Sequence, residues 1–132
     1  MLCLNSLMLN AQSDLQVQNQ KYLQGTWLID TMYIDFEMSD QLLEIYAEKF
    51  REIKQQTRFE FHPDGTYKKF SVNDLREGNW SVSPNGKMII IQFVGSDEIS
   101  RTHIDYIDSV SMRMIPANQA SQNSAVTLIK QR

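Results

Sequence analysis

From Thr57 to the C-terminus the chain alternates apolar and polar residues at a period of two, and residues that reverse a backbone interrupt it at short intervals. The tightest constraint comes from two turns, His62-Pro63-Asp64-Gly65 and Ser83-Pro84-Asn85-Gly86. In each, proline presets φ at the first corner and glycine accepts the left-handed conformation that the reversal needs, so the flanking runs must pair as antiparallel hairpins. Thr57 to Phe61 therefore pairs with Thr66 to Val72, and Asn79 to Val82 with Lys87 to Val94. Gly95-Ser96-Asp97 turns the chain into a strand from Glu98 to Tyr106. A short break near Ile107-Asp108 leads into Ser109 to Ile115, and a polar loop, Pro116 to Asn123, precedes a last strand from about Ala125 to Gln131.

Ahead of these hairpins, a first strand runs from about Trp27 to Ile34. It places Trp27, Ile29, Thr31 and Tyr33 on one face and Leu28, Asp30, Met32 and Ile34 on the other. Between it and the hairpins the period changes. Residues 39–56 lack Gly and Pro, are rich in Leu, Glu, Lys and Gln, and set Leu42, Ile45, Tyr46, Phe50 and Ile53 on one stripe at helical spacing, read as a packing face. Ser39 or Asp40 can cap this helix, Met38 and Leu43 stand where a hydrophobic staple would form, and Lys49, Arg51 and Lys54 suit its C-terminal dipole. Upstream, Ser13 to Gln24 reads as a short helix or turn able to plug one end of a barrel. With the first strand there are about eight strands joined mostly by tight turns. Such a meander hides its edges either by closing into an up-and-down barrel or by stacking as a sandwich, and short hairpins favour the barrel. An eight-stranded antiparallel barrel is either just filled by side chains or holds one small ligand.

At 132 residues the chain is long enough for one domain with one core. A net charge of -3 disfavours nonspecific binding to nucleic acid, which needs a basic face. Lys68, Lys69 and Arg76 do cluster, and such a cluster reads as a solvated strand face. The longest apolar runs, such as Met88 to Ile91, are far short of the roughly 20 residues of a spanning helix. Residues 1–12 end like the apolar segment and small-residue cleavage site of a secretory signal, although the positively charged start is missing. The expectation is a signal remnant cleaved after Ala11, a domain over residues 13–132 and a secreted or periplasmic location. The alternative is an apolar N-terminus that packs on the barrel. Cleavage would remove Cys3 and leave a chain without cysteine, so disulfide arithmetic says nothing. Leu2 is bulky where a lipidated Cys3 would need a small residue.

Gly25-Thr26-Trp27 on the first strand, the hairpins carrying residues 59–67 and Gly78-Asn79-Trp80, and a last strand ending in Lys130-Gln131-Arg132 resemble the lipocalin-like domains of small secreted bacterial proteins, within the calycin group. The resemblance covers about Tyr22 to Arg132. It implies an eight-stranded barrel with Trp27 at the closed end and a basic side chain from the last strand, Lys130 or Arg132, packed over the indole. Two features depart from it. A helix between the first and second strands is placed as in fatty-acid-binding proteins, and the Arg-x-Tyr carboxylate clamp of those proteins is absent from Val126 to Arg132. A fatty-acid ligand is therefore not implied by the likeness.

Candidate groups for holding the polar end of a ligand are Tyr67, Lys69, Arg101, His103 and Tyr106. Parity on the strand before the last puts Val110, Met112 and Met114 inside and Arg113 outside. Between Glu98 and Tyr106 two registers compete. One points Ile99, Arg101 and His103 inward as an anionic anchor; the other buries Ile104 and Tyr106. Two histidines without converging acids give no metal-ligand spacing, and no Ser sits in an elbow motif with His and acid partners. The sequence points to no enzyme, no metal and no cofactor. It points to a small apolar or amphipathic ligand held in the barrel or, alternatively, to a packed barrel acting as a protein-interaction or assembly module of the cell envelope.

Overall fold

The computed structural model describes residues 14–34, 39–116 and 124–132. The signal remnant with its cleavage point and Cys3, the staple residue Met38 and most of the polar loop before the last strand lie outside them. A helix over residues 14–23 (α1) leads into β1 (Gly25–Ile34), and α2 (Asp40–Gln56) follows. Next come β2 (Arg58–Phe61), β3 (Thr66–Ser71), β4 (Asp74–Val82), β5 (Met88–Phe93), β6 (Ile99–Ile107), β7 (Ser111–Pro116) and β8 (Ser124–Lys130). Each strand pairs antiparallel with its neighbour in sequence, and β8 returns to β1, so the eight strands close a barrel with no free edge. A sandwich is excluded. No helix among the described residues is long and apolar enough to cross a membrane.

The hairpin turns form from the residues whose chemistry requires them. Gly65 and Gly86 sit at φ 93 and φ 77, and their N–H groups donate to the carbonyls of His62 and Ser83 at 3.0 and 2.8 Å. A third turn, between β3 and β4, is tighter than the sequence indicates. Ser71 pairs with Asp74 across Val72-Asn73, where Asn73 takes the left-handed conformation at φ 58. Strand β4 thus begins five residues before the Asn79 expected from the sequence.

Two carboxylates tie turns at the closed end of the barrel. Asp64 accepts from the Thr66 N–H at 2.9 Å, and Asp108 accepts from the N–H groups of Val110 and Ser111 at 2.8 Å each. These bonds hold both carboxyls below the ordinary 3.8. A group whose pKa is depressed by folding stabilises the fold fully above its unfolded pKa and loses that contribution as pH falls through the folded one. Stability should therefore decline below about pH 4, and the double variant Asp64→Asn/Asp108→Asn should show a shallower decline between about pH 4 and pH 2 in denaturant titrations. An equally steep decline in the variant would contradict this.

The closed end is packed around Trp27, with an open hollow of about 390 Å³ at its edge between α1, Gly86 and the end of β6. Trp27 is fully buried and its indole N–H donates to the Leu23 carbonyl at 2.8 Å. Lys130 lies with Nζ 5.0 Å from the Trp27 ring and donates to the Tyr22 carbonyl at 2.5 Å, so it is Lys130, not the exposed Arg132, that closes over the indole. Desolvation holds the Lys130 ammonium below its usual pKa. Helix α1 is the plug. Leu23 is buried against Trp27, and Asn19 and Gln16 donate to the carbonyls of Gly86 and Val82 at 2.6 and 2.8 Å. Above it Phe61, Trp80, Val82, Ile89, Met112 and Leu128 fill the lower half of the barrel, with Phe61 and Trp80 edge to face at 5.6 Å.

The phase of the inner face departs from simple alternation at two bulges. One lies between Ile29 and Thr31 in β1, so Ile29 is buried, Thr31 is exposed and Met32 takes the core side. The expected row of Trp27, Ile29 and Thr31 thus breaks after its second member. In β7, Met112 and Met114 face inward, but Val110 sits in the preceding turn and is exposed. Arg113 points outward, 3.7 Å from Asp105.

Helix α2 arises where the sequence places it, with Ser39 as its cap. Its apolar stripe does not serve as a packing face. No α2 residue is buried, Leu42, Ile45 and Ile53 are 56%, 53% and 43% exposed, and Phe50 alone is packed against the core. The ring of strands already closes the core without it, so the helix lies lightly across the open end.

Candidate functional site

The inner faces of the strands turn from apolar to mixed on passing from the closed to the open end. On β3 the inward row runs Tyr67, Lys69, Ser71; on β4, in reverse, it runs Trp80, Gly78, Arg76. Tyr67 and Phe93 flank Gly78 on the neighbouring strands, and their rings meet edge to face at 6.3 Å over the position where Gly78 has no side chain.

Above this layer the barrel is hollow. A cavity of about 300 Å³ is lined by the largely apolar Phe61, Tyr67, Ile91 and Phe93 and by the polar Lys69, Arg76, Glu98, Ser100 and Thr102. A second hollow of about 410 Å³ adjoins it under α2, lined by Ile29, Met32, Ile53, Thr57 and Val72. The two share Phe59, Lys69, Met114 and Val126 as a common wall.

Electrostatics differ between them. In the first, the Arg76 guanidinium lies 3.8 Å from the centre of the Phe93 ring and donates to Glu98 Oε2 at 2.9 Å. Lys69 Nζ stands 5.6 Å from the centre of the Phe59 ring, and among the described residues no carboxylate lies within salt-bridge distance of it. Burial raises the Tyr67 phenol well above its usual 10, and the nearby Arg76 only partly opposes this. The Tyr67 hydroxyl is thus neutral at physiological pH, and no described residue hydrogen-bonds to it. The second hollow is mostly apolar, with Thr57 and Ser71 as its uncharged polar members.

Of the candidate residues named from sequence, the structure brings Tyr67 and Lys69 to the cavity and keeps Arg101, His103 and Tyr106 out of it. The reason is register. Ile89 and Ile91, both buried, pair with Thr102 and Ser100, so those two face inward, while Arg101 and His103 pair with Ile90 and Met88 on the outer face. Ile104 continues the inner row, but a bulge between Ile104 and Tyr106 then shifts the phase, so Ile107 packs inward and Tyr106 is 45% exposed. The register that buries Ile104 holds as far as that residue and fails at Tyr106, beyond the bulge, while the register that turns Arg101 and His103 inward does not form.

Sequence reasoning missed Arg76, Glu98, Ser100 and Thr102. Arg76 was counted with Lys68 and Lys69 as a solvated cluster. In the structure the three divide, Lys68 to the outside between Glu60 and Glu77, Lys69 and Arg76 to the inside as direct cross-strand neighbours. The signal that could have found Arg76 is Asn73. A two-residue turn at Val72-Asn73 sets Lys69 opposite Arg76 by counting alone.

No protein-family model and no curated protein sequence matches the chain. Solved structures do. A DUF4847 family protein from Bacteroides vulgatus superposes with a TM-score of 0.61 at 16% identity, covering 86% of this chain and 99% of the other. A lipocalin-like protein from Bacteroides uniformis superposes with a TM-score of 0.55 at 14% identity, covering 83% and 99%. The fold is lipocalin-like.

Proposed function

We propose that this lipocalin-like barrel is a secreted or periplasmic binding protein, not an enzyme, which holds one small apolar or amphipathic molecule in the hollows at its open end. The observation that carries the reading is the division of the barrel into a packed lower half around Trp27 and a hollow upper half, where the volume lies in the range of about 300–1,000 Å³ typical of small-molecule sites. The side chains gathered there suit grip rather than turnover, since apolar walls surround a few polar groups at fixed positions. The location rests on the signal-like composition of residues 1–12.

Fluorescence of the neutral dye N-phenylnaphthylamine tests the reading. It should rise on binding with a stoichiometry of one, and Val126→Trp, which puts an indole into the wall shared by both hollows, should weaken binding by about tenfold or more, a change of about 1.4 kcal/mol. Arg101→Ala and His103→Ala, on the outer face, should leave it unchanged. A dye that stays dark, or binds as well to Val126→Trp, removes the carrier.

A second reading, a protein-interaction or assembly module, draws on the exposed Leu42, Leu43, Ile45 and Ile53 of α2. Capture of a partner by the native chain that is lost on changing Leu42 and Ile45 to Ser would favour it over the first.

A further inference from the structure

The inner and outer faces of β3 treat charge in opposite ways. On the outside, Lys68 pairs across the sheet with Glu60 on one side and Glu77 on the other, the arrangement that stability favours. On the inside, one residue further on, Lys69 pairs with Phe59 and with Arg76. Like charges directly opposite each other in a sheet are destabilising, and Glu98 reaches Arg76 but is not within salt-bridge distance of Lys69. The pair Arg76–Glu98 is itself 41% and 58% exposed, a setting in which ion pairs contribute little and yield readily to a competitor. Among the described residues the cavity wall thus carries one cation more than its acids offset, and the contacts of Lys69 and Arg76 with the Phe59 and Phe93 rings leave that charge unneutralised.

Around this excess charge stand uncharged groups able to donate hydrogen bonds. Tyr67 supplies a neutral hydroxyl, and Ser100 and Thr102 supply two more from β6. Lys69 also borders the apolar hollow under α2, so one side chain touches both environments. An anionic group beside Lys69 and Arg76 would be within reach of an apolar tail passing Phe59, Met114 and Val126 toward Ile29, Met32 and Ile53.

We infer that the ligand class is an amphiphile with a single negative charge, its acid group held between Lys69 and Arg76 and its apolar tail in the hollow beneath α2. The inference rests on the carrier reading above and adds the sign of the head group and the direction in which the ligand lies. Arg101 and His103, weighed from sequence as the anionic anchor, have no part in it.

Calorimetric titration of the full chain with dodecanoate, dodecanol and dodecyltrimethylammonium, each below its micelle concentration, separates head-group recognition from tail burial. Dodecanoate should bind about tenfold or more tighter than dodecanol, as expected for hydrogen bonds to a charged group in a partly dry site, and the ammonium should bind weakest. Lys69→Met and Arg76→Met should each cost dodecanoate about tenfold and change dodecanol by less than about twofold. Equal affinity for dodecanoate and dodecanol overturns the inference and leaves the carrier reading standing. Failure of all three to bind overturns the inference, and the carrier reading falls with it where N-phenylnaphthylamine also stays dark. Because the head-group series uses the unaltered chain, the test holds even if a variant does not fold.

Discussion

Trp27→Ala should cost about 3–5 kcal/mol of stability, the range for removing a large aromatic ring from a well-packed core. For a domain whose whole stability is about 5–15 kcal/mol, the variant should be at the edge of unfolding at ambient temperature. The magnitude follows from how many elements meet on one side chain. The indole is fully buried, its N–H bonds the last residue of α1, and the stem and ammonium of Lys130 cover it from β8. Removing it opens a void at the point where the first strand meets the last and where α1 docks. Urea titration followed by far-UV circular dichroism measures the loss. Arg132→Ala, at the exposed terminus, should shift stability by no more than about 0.5 kcal/mol. A Trp27→Ala midpoint within error of the parent would mean that the closed end does not hold the ring together.

Gly78→Ala should also be strongly destabilising, against the usual direction for that change. An alanine in place of a glycine whose backbone is not left-handed ordinarily stabilises by about 0.4–1 kcal/mol through the unfolded chain. Here a Cβ would lie 2.4 Å from the Gln92 carbonyl oxygen and 3.2 Å from Phe93 Cα, and both are backbone atoms that cannot swing aside. Relief requires β4 and β5 to separate, in the row where Tyr67 and Phe93 meet over the glycine. The expected cost is about 3 kcal/mol, at the upper end of what overpacking usually does. Since Arg76 stacks on Phe93, binding at the cavity should weaken as well. Thermal melts and N-phenylnaphthylamine titration of the same sample read both effects. A melting temperature at or above the parent's would show that the strands can part without penalty and that the glycine is not needed for close approach.

These two positions differ in how visible they are before the fold is known. Trp27 stands out in the sequence because Gly25-Thr26-Trp27 opens the first strand and Lys130 or Arg132 ends the last. The choice between the two cations needed the β1–β8 register, which sets Trp27 opposite Lys130. Gly78 enters the sequence reading only as part of Gly78-Asn79-Trp80, with no structural role attached to it. It reads as one more small residue before Trp80, and its role exists only because Tyr67 and Phe93 come from either side in space.

Local chemistry, legible in the residues themselves, determined the meander of eight strands, the helix capped by Ser39 and the turns at Gly65 and Gly86, because a period of two, a helical stripe and a left-handed φ each depend on residues a few positions apart. Which side of each strand faces inward was decided by the closed ring. The bulges beside Ile29 and Ile104 shift the phase within single strands, sending Thr31 and Tyr106 outward and Met32 and Ile107 inward. A bulge answers to the hydrogen-bond register of two partner strands at once, so the residues flanking it do not announce it. The cavity belongs to the same class of fact. Lys69 and Arg76, seven positions apart, are set side by side by the Asn73 turn, but only the closure of the barrel gives them a cavity to face.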